Sequence, residues 1–154
     1  KDMDRYSFLD DGTVVGEIGG VAGSIGFEAT YVRLSASRIL PVVLFCDKNS
    51  PAGQAGVKRG WIISTINNQS AQYDGPNGDN LKKVVNALYY DAQATFGFEK
   101  QDGTTAKVTL AKAEYNLNPV LFDTVFTIAG KNVGYFVFNS FADVVNHNGA
   151  VTLT

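Results

Sequence analysis

The stretch Ser50–Gln69, "SPAGQAGVKRGWIISTINNQ", carries more structural instruction than any other part of the chain. Ser50 suits a helix N-cap, because its hydroxyl can accept from an N–H of the first turn. Pro51 suits the first helical position, where a missing N–H costs nothing. Gly56 suits the left-handed exit from a helix, so the segment predicts a single short helical turn. "WIISTIN" then reads as a strand, and "NNQ" as a tight turn leaving it.

The segments around it follow the same punctuation. Upstream, "IGFEATYVRL" and "RILPVVLFCD" are rich in β-branched and aromatic residues and read as two strands, with Pro41 near the start of the second or at a bulge. Downstream, "YDGPNGD" is a turn-rich loop, after which Asp79 or Asn80 can cap a helix over "NLKKVVNALYY". Leu81, Val84, Val85 and Leu88 then fall on one helical face, with Val84 the inward member. "ATFGFE" and "AKVTLAKA" flank "KQDGTT", where Asp102-Gly103 signals a hairpin turn. Beyond Ala113, "EYNLNPVLFDTVFTIAGKN" reads as an extended connection and "VGYFVFNSFA" as a further apolar strand. The segment ahead of the first strand holds Gly16, Gly19, Gly20, Gly23 and Gly26. It is either a loop whose bare N–H groups hold an anion or a plain linker.

The order of glycine loop, two strands, short "SPAGQAG" helix, strand, helix and hairpin resembles a PDZ domain of the bacterial, circularly permuted kind. Ser50, Pro51, Ala52, Ala55, Gly56, Gly60, Ile66 and Asn67 match that family's pattern. Trp61 stands where the family has Asp, and Asn68 where it has Gly. "DRYSFL" (Asp4–Leu9) and "GKNVGYFVFNSFA" (Gly130–Ala142) are similar to the flanks of this domain in C-terminal processing, or tail-specific, serine peptidases. The resemblance implies a mixed α+β, PDZ-like, partly open β-barrel of about five to six strands with two helices, plus an extra strand from the start of a peptidase domain. It also implies a division into an entry segment (1–19), a PDZ domain (20–113), and a linker with the first strand of a peptidase domain (114–154).

The resemblance implies a function as well. Ser24, Ile25, Gly26 and Phe27 match the family's carboxylate loop, in which successive backbone N–H groups converge on a peptide's terminal carboxylate. The ligand would continue as an added strand along Glu28, Ala29 and Tyr31, with Leu81, Val85 and Leu88 forming the opposite wall. The partners implied are C-termini or extended segments of substrate proteins, and the adjoining peptidase domain. The family's serine nucleophile and lysine base lie further downstream, so no residue here is expected to be catalytic, and Ser140 is structural. A bacterial cell-envelope location, periplasmic or lipid-anchored, is implied in the same way. A stand-alone PDZ scaffold that binds protein C-termini remains the alternative.

Composition excludes other classes. The chain has 154 residues, is 45% hydrophobic and 18% charged, and carries a net charge of −2, which gives no electrostatic reason to bind nucleic acid. Its longest strongly apolar run, "ILPVVLFC", is too short to span a bilayer. Cys46 is alone and reads as a small core residue. No cofactor is expected, and no metal site, since His147 has no companion ligands. A phosphate loop is excluded because no Gly-Lys-Ser/Thr follows the glycines. Asp10-Asp11, Asp47 and Asp74 suit turns and caps, and Tyr89-Tyr90 suits packing at a helix end. Asn68-Gln69-Ser70 fits a glycosylation acceptor, which a bacterial origin would make meaningless.

Overall fold

The structure, a computed structural model, describes residues 21–138. Asp10-Asp11, Ser140, His147 and the "DRYSFL" flank lie outside the described residues. The elements run β1 (Val21–Ser24), β2 (Phe27–Ser35), β3 (Arg38–Cys46), α1 (Pro51–Gln54), β4 (Ile62–Ile66), β5 (Gln69–Ser70), α2 (Asp79–Val85), β6 (Gln93–Glu99), β7 (Thr105–Ala111), β8 (Ala113–Asn116), β9 (Val120–Ile128) and β10 (Lys131–Phe138). The fold is mixed α+β and its sheets do not close into a barrel. A six-stranded sheet follows the path β2-β3-β4-β6-β7, with β5 paired to β4 off that path. β1 pairs antiparallel with β8, and β9 with β10, as separate two-stranded sheets.

The punctuation of Ser50–Gln69 acts as read. Ser50 Oγ accepts from the Gly53 N–H at 3.0 Å, Pro51 opens α1, and Gly56 leaves it at φ +79°. Asn67 and Asn68 take φ of 50° and 66°, the double left-handed step that suits a two-residue hairpin. Gly103, at φ +81°, completes the turn between β6 and β7.

The core gathers on one face of the six-stranded sheet. Phe96 and Phe98 alternate inward on β6 and are fully buried. Phe27 meets them edge-on, at centroid distances of 5.4 and 6.1 Å. Trp61 packs edge-on against Phe98 at 5.4 Å while Lys100 Nζ sits over its indole at 5.2 Å, so this departure from the family pattern still has a packing role. Val84, Ala87 and Leu88 bring the helix onto this core, with Val84 inward as expected.

Two local expectations need correction, while Pro41 stands as read: it is the fourth residue of β3, opposite Tyr31, with no register shift at that pair. Beside it the Ile39 carbonyl accepts from the Tyr73 N–H of a loop, so little ladder bonding is lost to the missing donor. The second helix is capped neither by Asp79 nor by Asn80: its N-cap is Gly78. Asp74 folds over that terminus instead, accepting from the N–H groups of Asn80 at 2.8 Å and Leu81 at 3.3 Å. It also occupies the space a Cβ at Gly78 would need. Finally, the stretch after Ala113 is no connection. It supplies β8 and the nine-residue β9, which turns through Ala129 (φ 50°) and Gly130 (φ 76°) into β10.

Asp74 gives a pH test. The N–H groups it accepts from, first that of Asn80, hold its carboxyl below the usual carboxylate range. A lowered folded-state value stabilises the protein above the unfolded value, and that contribution is lost as pH falls through the folded one. Asp74→Asn should therefore lower Tm at neutral pH. Thermal melts by circular dichroism should show the gap to wild type narrowing as pH drops below the ordinary carboxylate range; a constant gap would disprove the linkage.

Candidate functional site

The loop between β1 and β2 is built on Gly26. Its φ is +92°, and a Cβ there would lie 1.8 Å from Ser50 Cβ and 2.1 Å from Ser50 Oγ. Both the backbone conformation and the close approach therefore require glycine. The loop's carbonyls are engaged beneath it. Ile25 C=O accepts from the Ala52 N–H at 3.0 Å, and Gly26 C=O from the Asp47 N–H at 2.9 Å and from Ser50 Oγ at 3.3 Å.

The N–H groups of Ile25 and Gly26 have no acceptor among the described residues. Phe27 continues the series. The bond from Asp47 N–H to Gly26 C=O makes Phe27 and Cys46 a non-hydrogen-bonded antiparallel pair, so the Phe27 N–H points away from β3. Among the described residues that direction is the free side of the sheet, because β2 is its terminal strand. Three successive donors thus stand at the start of an open strand edge. Ser24 flanks them, its Oγ 3.0 Å from the hydroxyl of Tyr115 on β8.

The remaining candidates divide between edge and core. Ile25 and Phe27 are buried in the core cluster, with Ala29 and Tyr31 packed against it. Glu28 is half-buried, and its Oε2 accepts from the Tyr89 hydroxyl at 2.7 Å, which joins β2 to the end of the helix. On the helix, Leu81 and Val85 are half-buried, whereas Leu88 is only 6% exposed and belongs to the core. The helix does not simply end after Val85. Asn86–Tyr90 form a π-helical turn closed by Asp91 N–H donating to Asn86 C=O at 2.7 Å. The Tyr89 carbonyl is held by Lys112 Nζ, also at 2.7 Å. Reading Tyr89 as packing alone missed this polar contact; a helical wheel at ordinary pitch gives no sign of it.

Titration behaviour separates structural groups from reactive ones. Burial, with a smaller contribution from the Glu28 bond, pushes the Tyr89 hydroxyl up to about 12, so it remains a donor at neutral pH. Burial pushes the Cys46 thiol up to about 11, which keeps it protonated and unreactive as a nucleophile. Asp47 is buried and structural: its carboxylate accepts from Asn49 N–H at 2.8 Å and from Asn118 N–H at 2.7 Å. Among the described residues no cluster of three or more His, Cys, Asp or Glu side chains is placed to hold a metal. No helix among them is long and apolar enough to cross a membrane.

This fold superposes on part of two proteases of known structure. A photosystem II D1 C-terminal processing protease superposes with a TM-score of 0.51 at 23% identity, over 92% of this chain and 38% of its own length. A Bacteroides fragilis protein assigned to the S41 proteases superposes with a TM-score of 0.50 at 22% identity, over 79% of this chain and 32% of its own. The chain thus spans about a third of either protein. At these identities the likeness is one of fold. No family model and no curated protein matches the sequence.

Two substitutions test the site's construction. Gly26→Ala forces a Cβ into Ser50 and a strained φ, and should cost at least about 2–3 kcal/mol in urea unfolding. A loss below about 0.5 kcal/mol would show that the loop is not held as described. The hydroxyl of Tyr31 is buried without a hydrogen-bond partner among the described residues, and desolvation pushes it up to about 12. Tyr31→Phe removes an unsatisfied group at nearly constant shape, so it should leave stability unchanged or raise it by up to about 1 kcal/mol. A clear loss would mean that the hydroxyl is bonded in solution.

Proposed function

We propose that this chain is the PDZ-type, peptide-binding portion of a C-terminal processing serine peptidase, and that it selects substrates by their free C-termini. One observation carries the reading: three successive N–H groups, of Ile25, Gly26 and Phe27, head an edge strand that has no neighbour on its outer side among the described residues. A carboxylate accepting from this loop would satisfy them, and the residues before it would add as a strand along β2. Leu81 and Val85 on the helix would form the facing apolar wall, favouring an apolar last residue.

The peptidase context is supported by the fold of the two proteases and by the β9–β10 hairpin. Phe122, Val125, Ile128, Tyr135 and Phe136 are each at least half exposed, and they come from both strands of the hairpin. Such density of exposed apolar side chains suits strands covered by further protein, and favours a larger enzyme over a free-standing scaffold. In that enzyme the nucleophile and base would be supplied outside this chain, in a bacterial cell envelope.

Calorimetry with apolar-ended peptides, matched except for a free or amidated C-terminus, tests the proposal. The free acid should bind at least about tenfold more tightly, since amidation removes the charge that the N–H groups accept. Equal affinity for both forms would remove the carboxylate from the mechanism.

A further inference from the structure

Glu28 lies one residue beyond the loop on β2, where a bound peptide's terminal carboxylate would bring a second negative charge close to it. Among the described residues the ion pairs are Arg38–Glu99 and Lys82–Asp79, so the Glu28 carboxylate has no cation opposite it. Its one described partner is the neutral Tyr89 hydroxyl, 2.7 Å away. Tyr89 is carried to that position by an unusual piece of backbone. The π-helical turn Asn86–Tyr90 inserts residues relative to α-helical pitch, and Lys112 fixes its carbonyl. Turns of this kind tend to be kept where they aim a side chain at a functional position.

The bond between Tyr89 and Glu28 runs from the helix to the strand that the ligand would pair with. On β2, Glu28 alternates with the inward-facing Phe27 and is half-buried on the other side of the pleat. An antiparallel ligand strand follows the same alternation. Its last side chain faces the apolar wall, and its second-to-last side chain comes to the Glu28 side.

We propose that Tyr89 and Glu28 form a clasp across the loop end of the peptide groove, and that a preferred ligand opens it by presenting a cationic side chain at its second-to-last residue. The ammonium or guanidinium group replaces the Tyr89 hydroxyl at Glu28 and offsets the repulsion between Glu28 and the ligand's own carboxylate. This deepens the peptide-reader function proposed above and rests on it.

The test measures affinities of three free-acid peptides, differing only in Lys, Ala or Glu at the second-to-last position, for wild type, Tyr89→Phe and Glu28→Gln. Wild type should bind in the order Lys, Ala, Glu, with a spread on the order of tenfold. Glu28→Gln should collapse that spread. Tyr89→Phe should tighten all three peptides by a few-fold, because the clasp no longer has to be broken. Binding by Tyr89→Phe alone would uphold the clasp outright. An unchanged spread and unchanged affinities in both variants, with dependence on the free carboxylate intact, would overturn the clasp and leave the peptide-reader function standing. No binding by any of the three proteins would overturn both.

Discussion

Ser50 against Gly26 is the contact on which the rest of the structure depends. Ser50 is fully buried, and its hydroxyl serves several needs at once. It accepts from Gly53 at the start of α1, and it donates within reach of the carbonyls of Asp47, at 2.6 Å, and Gly26, at 3.3 Å. A buried hydroxyl so fully used locks its surroundings, because any shift leaves a polar group unsatisfied. Here the surroundings are the end of β3, the first turn of α1 and the loop ahead of β2. With carbonyls committed on the α1 side, the loop leaves its N–H groups for the opposite side. A helix cap and a donor loop are thus two consequences of one packing arrangement.

Asp47 extends that arrangement toward the C-terminal part of the chain. Its backbone N–H holds Gly26, its side chain holds Asn49, and its second carboxylate oxygen holds the buried Asn118. Asn118 lies two residues before β9, and its side chain accepts from the Val120 N–H at 3.3 Å. The loop and the segment leading into the hairpin therefore meet at one buried residue, the loop at its backbone N–H and Asn118 at its carboxylate, so a displacement of Asp47 strains both bonds, one of them charge-assisted. That linkage is a physical route by which a site at the loop could bias whatever covers the hairpin.

Much of this was legible in the sequence because it was written in backbone chemistry. Ser50-Pro51, Gly56, Asn67-Asn68 and Asp102-Gly103 each demand a particular cap or left-handed step, and the chain has few other ways to satisfy them. What stayed hidden depended on contacts between distant residues. The capping of α2 by Asp74 spans six residues and cannot be seen by looking for a polar residue next to the helix. The π-helical turn that carries Tyr89 follows no periodicity signal. β9 could have been found: "VLFDTVFTI" is rich in β-branched and aromatic residues, and Ala129-Gly130 marks its turn. Its apolar residues fall on both faces, which obscures the period-two pattern of a half-buried strand and so gave the impression of a connection. The candidate site was legible as a loop and a strand edge, but not in how Glu28 is engaged.

The open edge of β2 is a liability that a stable domain would normally suppress. An unpaired strand invites association with other chains, and natural sheets blunt such edges with short strands, charges, bulges or covering elements. β2 is nine residues long and carries exposed Val32 and Leu34. Its register shift at Glu28/Ala29 leaves the extra residue, Leu44, on β3, whereas the second shift, at Arg33/Ser35, leaves the extra residue, Leu34, on β2 itself, so the outer edge is interrupted only at its far end. Protection lies at the two ends, where Tyr89 reaches across to a charged side chain and where Leu34 bulges beside Arg33, while the edge between them has no neighbour among the described residues. A strand merely tolerated at an edge would be guarded along its length. An edge guarded at its two ends and open between them supports the strand addition proposed above, with the bond from Tyr89 to Glu28 at the end where the ligand's carboxylate would engage.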